Sequence, residues 1–119
     1  MLSEKDLIRY SRQVIIPEFE EQGQEILMSQ KILIVGAGGL GCPVALYCAA
    51  AGFGNIEIWD NDVIELSNLN RQIAHQTNQI GEYKANSLEK KCKLINSSIK
   101  VQSKNIKFDE NSNIKEFDI

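Results

Sequence analysis

A glycine run, one acid and three nitrogen-bearing side chains are spaced along this chain as an anion site requires. Gly36, Gly38 and Gly41 make a G-x-G-x-x-G pattern inside GAGGLG, directly after the apolar run KILIV. In such a pattern the first glycine permits a tight turn and the second lets the backbone approach a phosphate. The third lets helix and strand pack closely. The helix that follows offers unpaired N–H groups and a partial positive charge to an anion. Asp60 closes the next apolar run, NIEIWD, where a carboxylate can accept hydrogen bonds from ribose hydroxyls. Glycines that merely make a tight turn are the poorer reading, because strand, helix and acid stand in the order a nucleotide needs.

Those features suit NAD and ATP equally, and the segment after Asp60 separates the two. NAD brings two phosphates, for which a helix N-terminus often suffices. A triphosphate needs further cations and amide donors. Asn68 supplies an amide, and Arg71 a planar fork of donors suited to phosphate. Lys84 follows Gly81 near the start of the next helical stretch, where it can project toward the crevice at the carboxyl ends of the strands. Taken singly, Arg71 and Lys84 read as solvated surface charges. Behind the glycine run they read as phosphate ligands.

The elements that must hold these groups follow from periodicity. KILIV (31–35) is a continuous β-branched run, suited to a strand buried on both faces. CPVALYCAAAG reads as a helix with Pro43 in its first turn and Gly52 at its end. NIEIWD (55–60) is the second strand, completing a β-α-β unit. GEYKANSLEKKCKLIN (81–96) is helical, with Leu88, Cys92 and Ile95 on one face and a solvated EKKCK run. SIKVQSKNIKF holds a third strand near an edge, and IKEFDI the onset of a fourth. Upstream, Ser3-x-x-Asp6 resembles a capping box before a short helix with Leu7, Ile8 and Tyr10. Pro17 interrupts its continuation, and a second helix is predicted over about residues 18–28.

The resulting class is α/β: a Rossmann-like, doubly wound, mainly parallel sheet, present as its incomplete N-terminal half and preceded by short N-terminal helices. Residues 1–30 form the helical segment and 31–119 the Rossmann-like half of one domain, 1–119. A doubly wound sheet does not end on its entering strand, so the chain reads as the N-terminal part of a longer protein, with a naturally short chain as the alternative.

Bulk properties exclude several classes. A net charge of −3 over 119 residues gives no sign of a whole-surface affinity for nucleic acid. The start MLSEKDLIRY lacks the apolar core of a signal peptide, and no apolar run approaches membrane-spanning length. The expectation is a soluble, cytoplasmic protein. Cys42, Cys48 and Cys92 form no C-x-x-C pair, which fits reduced thiols and offers no zinc site. Cys42 lies at a helix N-terminus, where a lowered thiol pKa is possible, but packing as a small residue is the favoured reading. His75, the only histidine, is read as solvated or packed rather than as a nucleotide contact. Trp59 is expected in core or interface packing.

RYSRQ (9–13), GAGGLGCP (36–43), DNDVIELSNLNRQ (60–72) and GEYK (81–84) together resemble the MoeB/ThiF/HesA family, relatives of the ubiquitin-activating enzymes. The resemblance spans nearly the whole chain in order, and the pairing of Arg-Tyr-x-Arg-Gln with Ser-Asn-Leu-x-Arg-Gln is highly specific. It implies an ATP-dependent adenylyltransferase. Such enzymes join the C-terminal Gly-Gly carboxylate of a small ubiquitin-like sulfur carrier (ThiS/MoaD-like) to AMP, with loss of pyrophosphate, in thiamine or molybdopterin biosynthesis. It further implies that Gly39 and Asp60 hold adenosine and ribose. Ser67, Asn68, Leu69, Asn70 and Arg71, with Lys84, contact ribose and phosphates. Arg12 reaches the ATP of a neighbouring subunit in a homodimer, and Asp62 belongs to the same motif. Catalysis then falls to Arg12, Arg71 and Lys84, and nucleotide binding to Gly36, Gly38, Gly39, Gly41, Asp60, Asp62 and the 67–71 segment.

Two family features have no counterpart in these residues. One is the aspartate after the fourth strand that binds Mg2+, expected beyond residue 119. The other is a pair of C-x-x-C motifs for a structural zinc, possible only in a C-terminal part. The isolated chain is therefore expected to bind nucleotide at most. The alternatives are a non-catalytic interaction module of the same fold and, against the Ser-Asn-Leu-x-Arg-Gln loop, an NAD-dependent oxidoreductase.

Overall fold

A computed structural model describes all residues, 1–119. Three parallel strands, β1 (Lys31–Val35), β2 (Asn55–Trp59) and β3 (Lys100–Lys104), form a sheet in the order β1-β2-β3. The register sets Ile32 beside Ile56 and Val101, and Ile34 beside Ile58 and Ser103. Side chains alternate across a strand, so these residues share one face. On it lie the two crossover helices, α4 (Gly41–Ala51) and α5 (Lys84–Ile95), whose Cys42, Ala45, Ala49, Leu88 and Cys92 complete the core. Small residues on α4 let helix and sheet approach closely. The helices thus lie on one face only, half of a doubly wound arrangement.

That one-sidedness corrects the expectation that β1 is buried on both faces. Val35 is 52% exposed. The helix-free face carries Leu33, Glu57 and Trp59, and the segment leaving β3 crosses it. Phe108 and Phe117 flank Trp59 with ring centroids 6.4 and 6.1 Å away. The Trp59 indole N–H donates to buried Glu57 (2.7 Å), whose carboxylate lies 3.5 Å from Lys104 Nζ. The predicted fourth strand is not formed as a ladder. Asp118 and Ile119 nevertheless seat on the free edge of β1, through Asp118 N–H to Lys31 O (2.8 Å) and Leu33 N–H to Ile119 O (2.9 Å).

Three short helices precede the sheet: α1 (Glu4–Arg9), α2 (Ser11–Val14) and α3 (Glu20–Ser29). The capping box is present, with Ser3 Oγ accepting from Asp6 N–H and Asp6 Oδ2 from Ser3 N–H. The second predicted helix starts two residues late, and α2 is an extra turn between. α5 also starts later than its periodicity suggests. Residues 81–83 are spent pairing with 63–64: Ile64 N–H bonds Glu82 O and Gly81 N–H bonds Ile64 O, both at 2.9 Å.

The N-terminal helices are tied to the C-terminal end of α4. Buried Gln24 and half-buried Gln13 each donate to Ala51 O at 3.0 Å, and Asn96 Nδ2 donates to Ala49 O and Tyr10 Oη at 2.8 Å. In RYSRQ, therefore, Tyr10 and Gln13 point inward and Arg12 is left exposed. Outward on α4, Leu40, Val44 and Tyr47 make an exposed apolar stripe. No helix is long and apolar enough to cross a membrane.

Candidate nucleotide site

Three segments meet at the carboxyl ends of β1 and β2. The first is the turn into α4. Gly36 adopts φ +100°, and its N–H bonds Trp59 O at 2.8 Å. A Cβ added to Gly41 would collide with the Gly36 carbonyl, so only glycine lets the helix start this close to the strand. Between them, the N–H groups of Gly38, Gly39, Leu40 and Gly41 donate to nothing in the protein. Unpaired donors at a helix N-terminus form an anion site.

The second is Asp60. One oxygen accepts from Ala37 N–H (2.8 Å) and the other from Asp62 N–H (2.7 Å). The acid thus braces the glycine turn and keeps lone pairs for a further donor.

The third runs from Asp62 to Lys84. A 3-10 turn (Leu66–Asn68) buries Asn68, whose Oδ1 accepts from Glu65 N–H at 2.8 Å. Asn68 lines a cavity of about 300 Å³ together with Asp62, Val63, Glu65 and Lys84. Lys84, at the first turn of α5, is 8% exposed, and its nearest acid, the exposed Asp62, lies 4.0 Å away. A buried ammonium with so loose a counter-ion is unfavourable until an anion arrives. The Arg71 stem passes over Gly39, where an added Cβ would meet Arg71 Cγ at 3.6 Å. Its guanidinium donates to Ser67 O (3.1 Å) and Asn70 Oδ1 (3.0 Å), so Ser67 and Asn70 orient Arg71 while Leu69 is half-buried.

Sequence reasoning passed over two buried neighbours. Gln72 lies against Gly38, with its Nε2 3.5 Å from where a Cβ would be, and its buried Oε1 has no partner. His75 is packed rather than solvated, and bonds both the glycine turn and α5. Burial lowers its pKa, helped by Lys84, while the bond to Ala37 O opposes the shift. Gln72 closes the Ser-Asn-Leu-x-Arg-Gln motif and could have been found there, whereas His75 carries no local signal beyond its nearness to that motif. Cys42 is fully buried beside the ring, and desolvation raises its thiol pKa, which removes the reactive reading.

Arg12 is not brought to this site. Its neighbours Tyr10 and Gln13 are fixed at one end of α4 and the glycine turn is at the other. The 11 residues of α4 separate the two by about 16 Å. No group of three or more His, Cys, Asp or Glu is placed to hold a metal ion.

The family model described as "ThiF family" matches residues 10–119. The chain belongs to the ThiF family. Among this family's members, the chain is 48% identical over 100 residues to the adenylyltransferase and sulfurtransferase MOCS3 of Arabidopsis thaliana, covering 84% of the chain and 22% of the relative. It is 44% identical over 111 residues to MOCS3 of Caenorhabditis briggsae, covering 93% and 28%. The chain therefore spans well under a third of these curated relatives. Escherichia coli MccB crystallised with ATP superimposes with TM-score 0.75 at 31% identity, over 87% of this chain and 31% of MccB. The Escherichia coli tRNA N6-threonylcarbamoyladenosine dehydratase, TcdA, gives TM-score 0.82 at 25% identity, over 90% and 44%. These ThiF-type neighbours share the Rossmann-like α/β fold.

Proposed function

We propose that this chain is the nucleotide-binding part, residues 1–119, of an ATP-dependent adenylyltransferase. Its substrate is the C-terminal Gly-Gly carboxylate of a small ubiquitin-like sulfur-carrier protein of the thiamine or molybdopterin type. The observation that carries the reading is the set of free glycine-turn N–H groups under the Arg71 stem, with buried Lys84 and Asn68 lining the neighbouring cavity. Orphaned Gln72 and the braced Asp60 border the glycine turn. That donor set suits a triphosphate with a ribose, and two phosphates do not require it.

In the reaction a carboxylate oxygen bonds to the α-phosphorus, and the α–β bridging bond breaks with its electron pair leaving on pyrophosphate. The substrate brings its own nucleophile, so the protein's part is positioning and charge stabilisation. Lys84 and Arg71 face the phosphates, Asn68 donates its amide, and Asp60 takes ribose hydroxyls. Mg2+ arriving with ATP would supply neutralisation of phosphate charge, and no acid cluster among these residues is assigned to it. Arg12 serves a second copy of the chain, in the manner of an arginine finger. Its separation from its own glycine turn supports this, as does the apolar stripe Leu40, Val44 and Tyr47, which suits a covering partner.

The test is calorimetric titration of the chain with ATP and with NADH. ATP binding without NADH binding is expected, and the reverse overturns the reading. In the full-length protein, Arg71→Ala should slow ATP–pyrophosphate exchange at least about tenfold. The carrier that supports exchange assigns the pathway. The 119-residue chain itself should show no exchange.

A further inference from the structure

The buried ring of His75 holds the one carbonyl that decides where the glycine turn aims its first free donor. His75 is 6% exposed. Its Nε2 lies 2.8 Å from Ala37 O, and its Nδ1 lies 2.8 Å from Ser87 Oγ. A carbonyl only accepts, so Nε2 carries the proton, and in the neutral ring Nδ1 faces the Ser87 hydroxyl, whose one proton is shared with Gln79 Oε1 3.2 Å away. Cys42 Sγ, 3.4 Å from the same oxygen, is a second and weaker donor to it. Ser87 stands one turn along α5 from Lys84. One imidazole therefore links the glycine turn, the loop after Arg71 and the helix that carries the buried ammonium.

In a trans peptide the C=O and the next N–H lie in one plane and point in opposite directions. Ala37 C=O and Gly38 N–H belong to the same peptide unit. With the oxygen pinned inward, the Gly38 N–H points away from the ring, and it has no partner in the protein. Asp60 holds the preceding peptide through Ala37 N–H (2.8 Å). Without the ring, the only hydrogen bond left on the Ala37 carbonyl is the thiol's, and glycine at 38 tolerates rotation of the unit more readily than any other residue.

We propose that His75 is a positioning residue that aims the Gly38 N–H at a nucleotide phosphate. The role rests on the nucleotide reading above and adds a residue outside its ligand set. The experiment titrates the chain and its variants with ATP and with adenosine, which lacks the phosphates. His75→Asn cannot reach Ala37 O and should lose about tenfold in ATP affinity, one charge-assisted bond's worth, with adenosine affinity unchanged. His75→Gln places an amide N–H near the Nε2 position and should restore most of the loss. Should His75→Asn unfold, Ser87→Ala removes the hydrogen bond that holds the ring at Nδ1. It should lower the ATP-to-adenosine preference about threefold. Unchanged ATP affinity, or equal loss of ATP and adenosine, overturns the role while leaving the nucleotide site standing. Failure of the wild-type chain to bind ATP overturns both. Ring 15N shifts of the unliganded chain give an independent check: a neutral Nε2–H tautomer is expected, and Nδ1–H overturns the role.

Discussion

The two ends of α4 are treated in opposite ways. At its C-terminus three of the last four carbonyls are claimed from within the chain, Cys48 O by Gly52 and Phe53 N–H among them, and only exposed Ala50 O is left to solvent. Gly52 N–H and Asn96 reach Ala49 O, and Gln13 and Gln24 reach Ala51 O. At its N-terminus four consecutive N–H groups are left without partners. Unpaired backbone groups are costly wherever water is excluded. The largely satisfied end fixes the N-terminal helices, and the open end carries the donors on which the proposed nucleotide site depends.

The contrast can be broken at either end. The largest effect belongs to Gly41→Val, which forces a side chain into the Gly36 carbonyl. It should cost at least about 4 kcal/mol in urea unfolding, and a stable variant would show that the start of α4 is not packed as described. Next comes the closed end: Asn96→Leu removes donors to Ala49 O and Tyr10. It should lose about 2–3 kcal/mol with no change in the preference for ATP over adenosine. A selective loss of ATP binding there would erase the distinction between the ends. At the open end the signs should divide. Lys84→Met should weaken ATP binding about tenfold while leaving stability unchanged or raising it by up to about 1 kcal/mol.

The smallest effect is on pH. Burial holds the His75 pKa below its ordinary value of 6.5. Lys84 pushes it the same way, Asp60 opposes, and Cys42 adjoins the ring. The unfolded ring binds protons first, so this contribution to stability is complete above about pH 6.5 and fades as pH falls through the folded pKa. The urea midpoint should decline on acidification, and His75→Gln should remove that share of the decline.

Local signals made part of this readable in the sequence. The order β1, glycine turn, α4, β2 rests on periodicity and glycine spacing within a short window, and it is present as anticipated. Strand ends and a helix start bring Asp60 and Arg71 to the glycine turn and set Asn68 and Lys84 on one cavity beside Asp62. What stayed hidden depends on long-range closure. Nothing near Gln13 or Gln24 says that they cap a helix ending at Ala51. Nothing near His75 says that its ring reaches back to Ala37. Helix α2 and the 3-10 turn at Leu66–Asn68 are too short to register as periodicity, and the start of α5 gave way to the pairing of residues 63–64 with 81–83. Two-face burial of β1 was inferred from composition alone, which cannot say whether the covering layer lies within these residues.

Trp59 is the chain's only tryptophan. Its indole is nearly enclosed, bonded to the Glu57 carboxylate, under the Lys104 ammonium 5.8 Å from its ring and between Phe108 and Phe117. Its carbonyl also accepts from Gly36. The fold therefore carries its own optical gauge. Fluorescence emission should be blue-shifted while the crossing segment is seated and red-shifted when it lifts, and one unlabelled chromophore can follow both that movement and events at the adjacent glycine turn.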